Sequence, residues 1–278
     1  MTFEDILEVS KRIHVLDLGA KCYSAERVNY HDLMDTHVCG VDVSLDNSAM
    51  TPYRPFDQEI EAVIGDGSSR LFYVTECEDY SSLFEPNPQW LAYCQTLNQW
   101  LKVKQTPLVD TVTLNTLELY HTPDFIKSTL QGADLYAIVH GNRYFEHALV
   151  VEIKVAFLPL YLGQPLFSEI ELLMRKRGFV FHTFTTEGAG ASHLADPTNA
   201  DGNSCKQWLW SHAVFIRDIF TARLAADQYL KMAMIAHNVY QSYDLALHCL
   251  KKSEVDESPY HAFLTQEWQG ESFSLSDF

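Results

Sequence analysis

The sequence predicts an α/β protein built on an open, mainly parallel sheet, with a late antiparallel strand pair and C-terminal helices. Short apolar runs that end in turn residues alternate with segments of helical spacing, as in parallel sheets that helices cover on both faces. The chain has 278 residues, of which 47% are hydrophobic and 21% charged. This composition is ordinary for a globular protein with a large core.

The strands are predicted from apolar runs and from alternation. The clearest strand, 149–157, is rich in β-branched residues, and Glu152 and Lys154 lie two positions apart and hence on one face. The last two strands are expected to pair antiparallel. The predicted strands are 13–18, 38–43, 60–64, 71–74, 124–127, 149–157, 179–184 and 208–216.

The helices follow from apolar residues at helical spacing. Ser168 is the expected N-cap of one helix, and 185–204, rich in Gly, Ala, Asn and Asp, is expected to form a long loop. The predicted helices are 88–101, 133–140, 168–177, and 220–250 with a break near 238–243.

The predicted organisation has three parts. Residues 1–219 form the α/β domain, and 220–252 form helices that pack on it or across a homodimer. The tail 253–278 carries six acids and no Lys or Arg, and its aromatic residues predict that it docks on the body or on another subunit.

Charge and composition exclude several kinds of partner. With 20 Lys and Arg against 37 Asp and Glu, the net charge of −17 disfavours nucleic acid and anionic lipid. The apolar run 148–162 is too short to span a bilayer, and the acidic N-terminus is unlike a signal peptide. We therefore expect a cytoplasmic protein with neither nucleic acid nor membrane as partner.

The cysteine and histidine spacing predicts no metal site. None of the six cysteines forms a Cys-x-x-Cys pair, so reduced thiols are the expected state. The twelve histidines are scattered along the chain, without the spacing of a metal cluster. His14 and His182 are candidates for a general base.

Three acidic residues follow successive predicted strands. Asp17 precedes Gly19-Ala20, Asp42 ends the second strand, and Asp66 lies between Gly65 and Gly67. Open α/β sheets bind ligands outside the carboxyl ends of their strands, where an acid at the second strand holds ribose hydroxyls. Each aspartate alone is more often a turn residue or a helix cap. The ordered trio predicts a nucleotide-like ligand at this edge.

Longer motifs lie along the chain from about residue 12 to residue 250, and the segment from Phe157 to Phe167 is specific. These stretches are Asp17-Leu18-Gly19-Ala20, Ile64-Gly65-Asp66-Gly67, Ser82-Leu83-Phe84-Glu85-Pro86-Asn87-Pro88, Asp124-Phe125-Ile126-Lys127, Gln131-Gly132-Ala133, the run 157–167 and the run 210–218. Together they resemble the FkbM family of S-adenosylmethionine-dependent methyltransferases.

The resemblance implies a Rossmann-like class I methyltransferase fold, S-adenosylmethionine as cofactor and transfer of a methyl group to a hydroxyl of a sugar or natural product. It implies that the cofactor contacts residues after the first three strands, with Asp42 on the ribose and Asp66 on the adenine. It places the acceptor, a small molecule or glycan, near the middle and later strands. The implied cofactor contacts are Asp17, Gly19, Ala20, Asp42, Gly65 and Asp66; the implied catalytic or acceptor contacts are Lys127, Gln131, Tyr161, Gln164 and Glu152.

The chain departs from the family pattern where carboxylates are expected. Thr129, Lys154 and Ala156 stand at those positions. A lysine near the sulfonium cation would repel it by about 3 kcal/mol at about 6 Å and an effective dielectric near 20. Glu152 either substitutes for a missing acid or pairs with Lys154. Two alternatives to a methyltransferase are therefore open: a catalytically inactive relative that serves as a binding or assembly subunit, and an enzyme that binds an anionic ligand through Lys154.

Overall fold

The structure is a computed structural model, which describes residues 1–20, 29–43, 56–92, 95–192 and 207–268. These residues divide into two compact units. The larger takes residues from 14–20 and 37–222, and the smaller takes residues from 1–13, 29–36 and 223–268. The smaller unit thus combines both ends of the described chain.

Strands account for most of the larger unit. In the described residues they are β1 (Ile13–Leu18), β2 (Thr36–Asp42), β3 (Gln58–Glu61), β4 (Ser69–Leu71), β5 (Val74–Thr75), β6 (Val103–Gln105), β7 (Leu108–Asp110), β8 (Phe125–Ser128), β9 (Val150–Ala156), β10 (Phe179–Ser192) and β11 (Gln207–Arg217).

The helices are mostly short. They are α1 (Phe3–Leu7), α2 (Tyr30–Leu33), α3 (Pro88–Leu91), α4 (Gln95–Trp100), α5 (Asp134–Val139), α6 (Asn142–Phe145), α7 (Phe167–Lys176), α8 (Ala226–Asn238), α9 (Tyr243–Leu250) and α10 (Ser258–Trp268), together with 3₁₀ turns at Glu78–Tyr80 and Leu114–Thr116.

Seven strands form one sheet in the order β3-β2-β1-β8-β9-β11-β10. The pairs β2·β3, β1·β8 and β8·β9 are parallel, whereas β11 is antiparallel to both β9 and β10. The strand order reverses direction between β1 and β8, and such a switch point opens a crevice at the carboxyl ends of the strands. The predicted Rossmann-like class I methyltransferase fold, with its late antiparallel pair, is confirmed by this topology.

The central strands are buried on both faces, as a sheet covered by helices requires. In β9, six of the seven residues are buried, and the exception is Lys154. Their apolar side chains join those of β1, β2, β8 and β11 and of the helices α5, α6 and α7 in one core. The buried charged side chains on these strands, Asp17, Lys127 and Glu152, are therefore exceptions that require partners.

Three local predictions were wrong. Helix α7 begins at Phe167 with Leu166 as N-cap, so Ser168 lies inside the helix, and the Glu169 carboxylate accepts the Leu166 N–H at 2.6 Å. The expected loop from 185 begins as strand, because β10 continues to Ser192 opposite β11. Residues 193–204 of that loop lie outside the described residues. The predicted helix 88–101 is two helices, α3 and α4, and the Asn87 side chain caps the first.

The smaller unit is helical. The break predicted near 238–243 separates α8 from α9, and α10 lies in the segment predicted only as a tail. His237 Nδ1 lies 2.8 Å from the hydroxyl of Tyr260, and the rings of Phe3 and Phe263 pack on the same imidazole. Tyr260 is fully buried, so the start of the acidic segment is part of this unit's core. Within the described residues, no helix combines the length and apolar character that crossing a membrane requires.

Candidate active site

The turn after β1 passes very close to the turn after β8. Gly19 has φ +79°, and a Cβ placed there would lie 2.6 Å from the carbonyl oxygen of Thr129. Only glycine fits this left-handed, crowded position without strain. Thr129, where the family pattern expects an aspartate, donates its backbone N–H at 2.9 Å and its hydroxyl at 3.2 Å to the carbonyl of Leu18. Thr129 therefore links the turn after β8 to the end of β1 by hydrogen bonds.

The three predicted carboxylates differ in their surroundings. Asp17 is completely buried at the end of β1, and Ala20, two residues beyond that strand, is also buried. Asp42 is half-buried at the end of β2, and its Oδ1 accepts the N–H of Val43 at 2.6 Å. Of the three, Asp42 combines partial burial with a position directly at the carboxyl end of a strand of the large sheet.

Asp66 is held by an arginine four residues later. Its Oδ1 accepts Arg70 Nε at 3.1 Å and its Oδ2 accepts Arg70 Nη2 at 2.6 Å. These hydrogen bonds, with those from Ser68, lower the pKa of Asp66 well below its usual range. Position 65 has room only for glycine, because a Cβ there would lie 2.5 Å from the side chain of Thr111, the residue after β7. Asp66 and Gly65 therefore each have a structural role in addition to the predicted cofactor contact.

A row of buried charges crosses the sheet beneath the edge. Asp17 on β1 is in register with Lys127 on β8, and Lys127 with Glu152 on β9. Lys127 Nζ lies 2.9 Å from Glu152 Oε1, and His212 Nδ1 on β11 lies 3.0 Å from the same oxygen. Burial alone would raise the pKa of Glu152, but Lys127 and His212 outweigh burial and lower it, so the carboxylate is ionised.

His212 completes this group as a neutral base. Burial lowers the pKa of its imidazole, and the neighbouring Glu152 only partly offsets that effect. His212 stands opposite Lys154 in the β9–β11 register, two residues nearer the carboxyl edge than Glu152. Its side chain is 14% exposed, against 6% for Glu152.

A small pocket opens at the carboxyl end of β9. Lys154 Nζ lies 3.1 Å from Gln131 Oε1. It also lies over two aromatic rings, 5.4 Å from the centroid of Tyr80 and 5.2 Å from the centroid of Trp210. Such placements are cation–π contacts. The pocket is lined by Tyr80, Gln131, Gly132, Lys154, Val155, Ala156, Leu160, Tyr161, Gln164 and Trp210.

Gln131 is held in this pocket by an unusual backbone. Its φ is +50°, and Gly132 follows at φ +97°. A left-handed non-glycine residue costs about 1–2 kcal/mol, and such strain concentrates at functional sites. The Gln131 amide donates to the carbonyl of Asp79 at 2.5 Å while its oxygen faces Lys154. Both ends of the amide are thereby fixed.

The structure brings three of the five residues predicted as catalytic or acceptor contacts into one pocket. Gln131, Tyr161 and Gln164 line the pocket, and Lys127 lies in the buried row with Glu152. Tyr161 presents only its ring, because its hydroxyl donates to the carbonyl of Tyr80 at 2.8 Å and its side chain is buried.

The candidate bases His14 and His182 are not brought to this pocket. His14 is the second residue of β1 and therefore lies at the amino edge of the sheet, and His182 lies on the edge strand β10. Sequence reasoning missed Tyr80, Trp210 and His212 as residues near this site. The alternation of Trp210 and His212 on one strand face was the available signal, whereas Tyr80 lies in a 3₁₀ turn without any pattern.

Comparisons with known proteins add little to this geometry. No protein-family model matches the chain, and no curated protein matches it either. Magnesium protoporphyrin IX methyltransferase from Synechocystis with bound SAM is similar to 73% of this chain across 69% of its own, at 13% identity and a TM-score of 0.34. Precorrin-6y C5,15-methyltransferase from Geobacter metallireducens is similar to 77% of this chain across 84% of its own, at 13% identity and a TM-score of 0.31. 1,6-Didemethyltoxoflavin-N1-methyltransferase from Burkholderia thailandensis with S-adenosylhomocysteine is similar to 74% of this chain across 72% of its own, at 12% identity and a TM-score of 0.30. TM-scores this low carry no argument, so the fold stands on its own strand order.

Proposed function

We propose that this chain is an S-adenosylmethionine-dependent methyltransferase that methylates a hydroxyl oxygen of a sugar or natural product, as its resemblance to the FkbM family implies. The observation that carries the proposal is the strand order, with its switch point between β1 and β8 and a half-buried aspartate at the end of β2. In such sheets an acid in this position accepts the ribose hydroxyls of a nucleotide-like ligand.

The donor set fits the cofactor. Asp42 offers a carboxylate oxygen to the ribose, and the tight turn at Gly19 allows backbone to approach a ligand. The charge of Lys127 is balanced by Glu152 at 2.9 Å, so this lysine adds no net repulsion toward a sulfonium cation. Lys154 is held by Gln131 and the faces of Tyr80 and Trp210, within the pocket proposed for the acceptor.

S-adenosylmethionine supplies a methyl group on a positively charged sulfur. Residues of this pocket would bind and orient the acceptor: Tyr80, Tyr161 and Trp210 offer aromatic surface, and the Gln164 amide N–H group offers a hydrogen bond. Lys154 would donate to an acceptor oxygen. Positioning of the two reactants then provides most of the catalysis.

His212 is the proton acceptor that this site offers. A hydroxyl must lose its proton as it is methylated, and a neutral imidazole oriented by a carboxylate is suited to take it. Glu152 Oε1 lies 3.0 Å from Nδ1, and Nε2 is the ring nitrogen that we propose takes the substrate proton. This pairing takes over the role for which His14 and His182 were candidates.

A second candidate is a catalytically inactive relative that acts as a binding or assembly subunit. Two observations favour it. Thr129 replaces an expected carboxylate and binds Leu18, and Lys154 brings a positive charge where the family pattern has an acid. Cofactor binding distinguishes the two candidates.

Calorimetric titration with S-adenosylmethionine and S-adenosylhomocysteine tests the proposal. We expect saturable binding that Asp42→Asn weakens about 10- to 100-fold, since hydrogen bonds to charged groups contribute about 1.5–3 kcal/mol. Glu146→Gln, a change at an exposed acid of the same unit, is the control and should bind normally. Absence of binding at millimolar ligand would favour the inactive relative, and unchanged affinity in Asp42→Asn would overturn the ribose assignment.

A further inference from the structure

Three histidines converge at the amino edge of the sheet, at the opposite end of β1 from the proposed methyl-transfer site. His14, His37 and His121 each offer a ring nitrogen, and these nitrogens all lie within 4.8 Å of one another. The rings of His14 and His121 stack with centroids 4.3 Å apart, and the ring of His37 meets His121 edge-on at 4.6 Å. Sequence spacing did not predict this cluster, because the residues are 23 and 84 positions apart.

The sheet topology creates the convergence. His14 is the second residue of β1 and His37 the second residue of β2, and these strands are neighbours. His121 lies just before β8, which is the neighbour of β1 on the other side. The cluster therefore collects one histidine from the start of each of three adjacent strand segments.

Two aspartates fix the backbone at the two strand histidines in the same way. Asp124 Oδ2 accepts the N–H of His14 at 2.9 Å, and the Asp124 N–H donates to the carbonyl of His14 at 2.8 Å. Asp57 Oδ2 accepts the N–H of Val38, the residue after His37, at 2.7 Å, and the Asp57 N–H donates to the carbonyl of Val38 at 2.9 Å. Ligands that project from a fixed backbone form more precise sites than ligands on loops. The two carboxylates also add negative charge beside the cluster.

The geometry points to a binding site for a divalent transition metal, with Zn²⁺ as the ion it suits best. Three imidazoles and one open position form a known tetrahedral zinc arrangement. Zinc–nitrogen bonds of about 2.0–2.1 Å place ligand nitrogens about 3.3 Å apart, so binding would draw the three nitrogens closer and turn the stacked rings of His14 and His121 toward a common point. Imidazole ligands without thiolate or carboxylate ligands favour zinc, copper or nickel over calcium or magnesium.

The fourth position would face solvent. His121 is exposed, whereas His14 and His37 are half-buried, so water or a small anion can reach the ion from the His121 side. The five residue steps from His14 to Gly19 span about 16 Å of extended chain, and this separation keeps the metal away from the proposed methyl transfer. The site is thus a second, independent feature of the fold.

Zinc titration of untagged, metal-free protein against a chromophoric chelator tests this inference. We expect one Zn²⁺ per chain, and Co²⁺ substitution should give the visible absorption bands of a tetrahedral site. His121→Ala removes an exposed ligand with little risk to folding, which circular dichroism would verify. Because loss of an outer-shell partner already weakens metal binding 10- to 100-fold, loss of this ligand should weaken Zn²⁺ binding at least about 100-fold.

His147→Ala is the matched control, since His147 is an exposed histidine of the same unit outside the cluster. It should bind Zn²⁺ like the wild type. The inference is overturned if the wild type shows no Zn²⁺ binding below about 100 µM, if His121→Ala binds as tightly as the wild type, or if His147→Ala weakens binding to the same extent. None of these readouts depends on methyltransferase activity, so failure here leaves the proposed function standing.

Discussion

Lys127 and Glu152 place two opposite charges side by side in the interior of the sheet. Their side chains are 10% and 6% exposed, and the nitrogen and oxygen lie 2.9 Å apart. A buried pair of this kind adds little net stability relative to apolar residues, but either charge left alone is very costly. The pair therefore explains why this chain keeps a lysine and an acid at neighbouring positions of its central strands.

We expect Lys127→Met and Glu152→Leu each to lower the free energy of unfolding by about 3–5 kcal/mol, because each removes the opposite charge that lies 2.9 Å from a buried charge. The double variant should regain most of that loss. Urea denaturation of the four proteins measures the coupling. A double variant whose loss equals the sum of the two single losses would contradict the account.

The lowered pKa of His212 makes a specific contribution to acid sensitivity. Burial favours the neutral imidazole in the folded state, so the unfolded chain, with a pKa near 6.5, binds the proton more readily. The contribution of His212 to the free energy of unfolding is therefore fully present above about pH 6.5 and is lost as the pH falls below that value. Glu152, whose pKa is lowered from 4.5, acts in the same direction only at more acidic pH.

His212→Gln should therefore flatten the fall in unfolding free energy between about pH 7 and pH 5.5. Denaturant midpoints at several pH values measure the slope, and His147→Gln, at an exposed site, should keep the wild-type slope. Equal slopes in wild type and His212→Gln would show that His212 titrates normally.

At the scale of elements, one arginine joins the end of β11 to three neighbours. Arg217 Nη2 donates to the carbonyls of Phe145 and Ala148, both at 2.6 Å, and Nη1 donates to the carbonyl of Arg177 at 2.9 Å. Its guanidinium lies 3.9 Å from the centroid of the Phe179 ring. Burial lowers its pKa to about 10, so it remains charged at neutral pH. It satisfies carbonyls at the ends of α6 and α7 and before β9.

Arg217→Met should lower the unfolding free energy by about 3 kcal/mol or more, because several charge-assisted hydrogen bonds are lost at once. The control is Arg143→Met. Arg143 is half-exposed and pairs with an exposed Glu118, and such surface pairs contribute at most about 1 kcal/mol. Thermal denaturation compares the two. A similar small loss in both variants would refute the joining role of Arg217.

Local sequence patterns predicted the elements whose own residues determine them. β9 is apolar and β-branched along its length, and α8 and α9 have helical spacing on either side of a polar break. The extension of β10 to Ser192 was not predictable, because Gly- and Ala-containing sequence becomes a strand only where β11 lies beside it. The helix α10 was missed because it lies in a segment interpreted by its acidic charge, whereas burial of Tyr260, Phe263 and Leu264 stabilises it.

At the scale of the whole molecule, the site depends on the strand order more than on any motif. The resemblance predicted Gln131, Tyr161 and Gln164 in one pocket, and the fold places them there together with Lys154. The partners of Glu152 could not be predicted, since Lys127 and His212 are distant in sequence and meet only across β8, β9 and β11. The histidine cluster at the amino edge was hidden in the same way.

The most direct measurement of the central claim is a crystal structure of the chain grown with S-adenosylhomocysteine. The account predicts the nucleoside at the carboxyl ends of β1 and β2, with the ribose hydroxyls on Asp42, and Lys154 still against Gln131 in the neighbouring pocket. Ligand bound at another edge of the sheet, or no density for it in crystals grown well above a measured dissociation constant, would contradict the account.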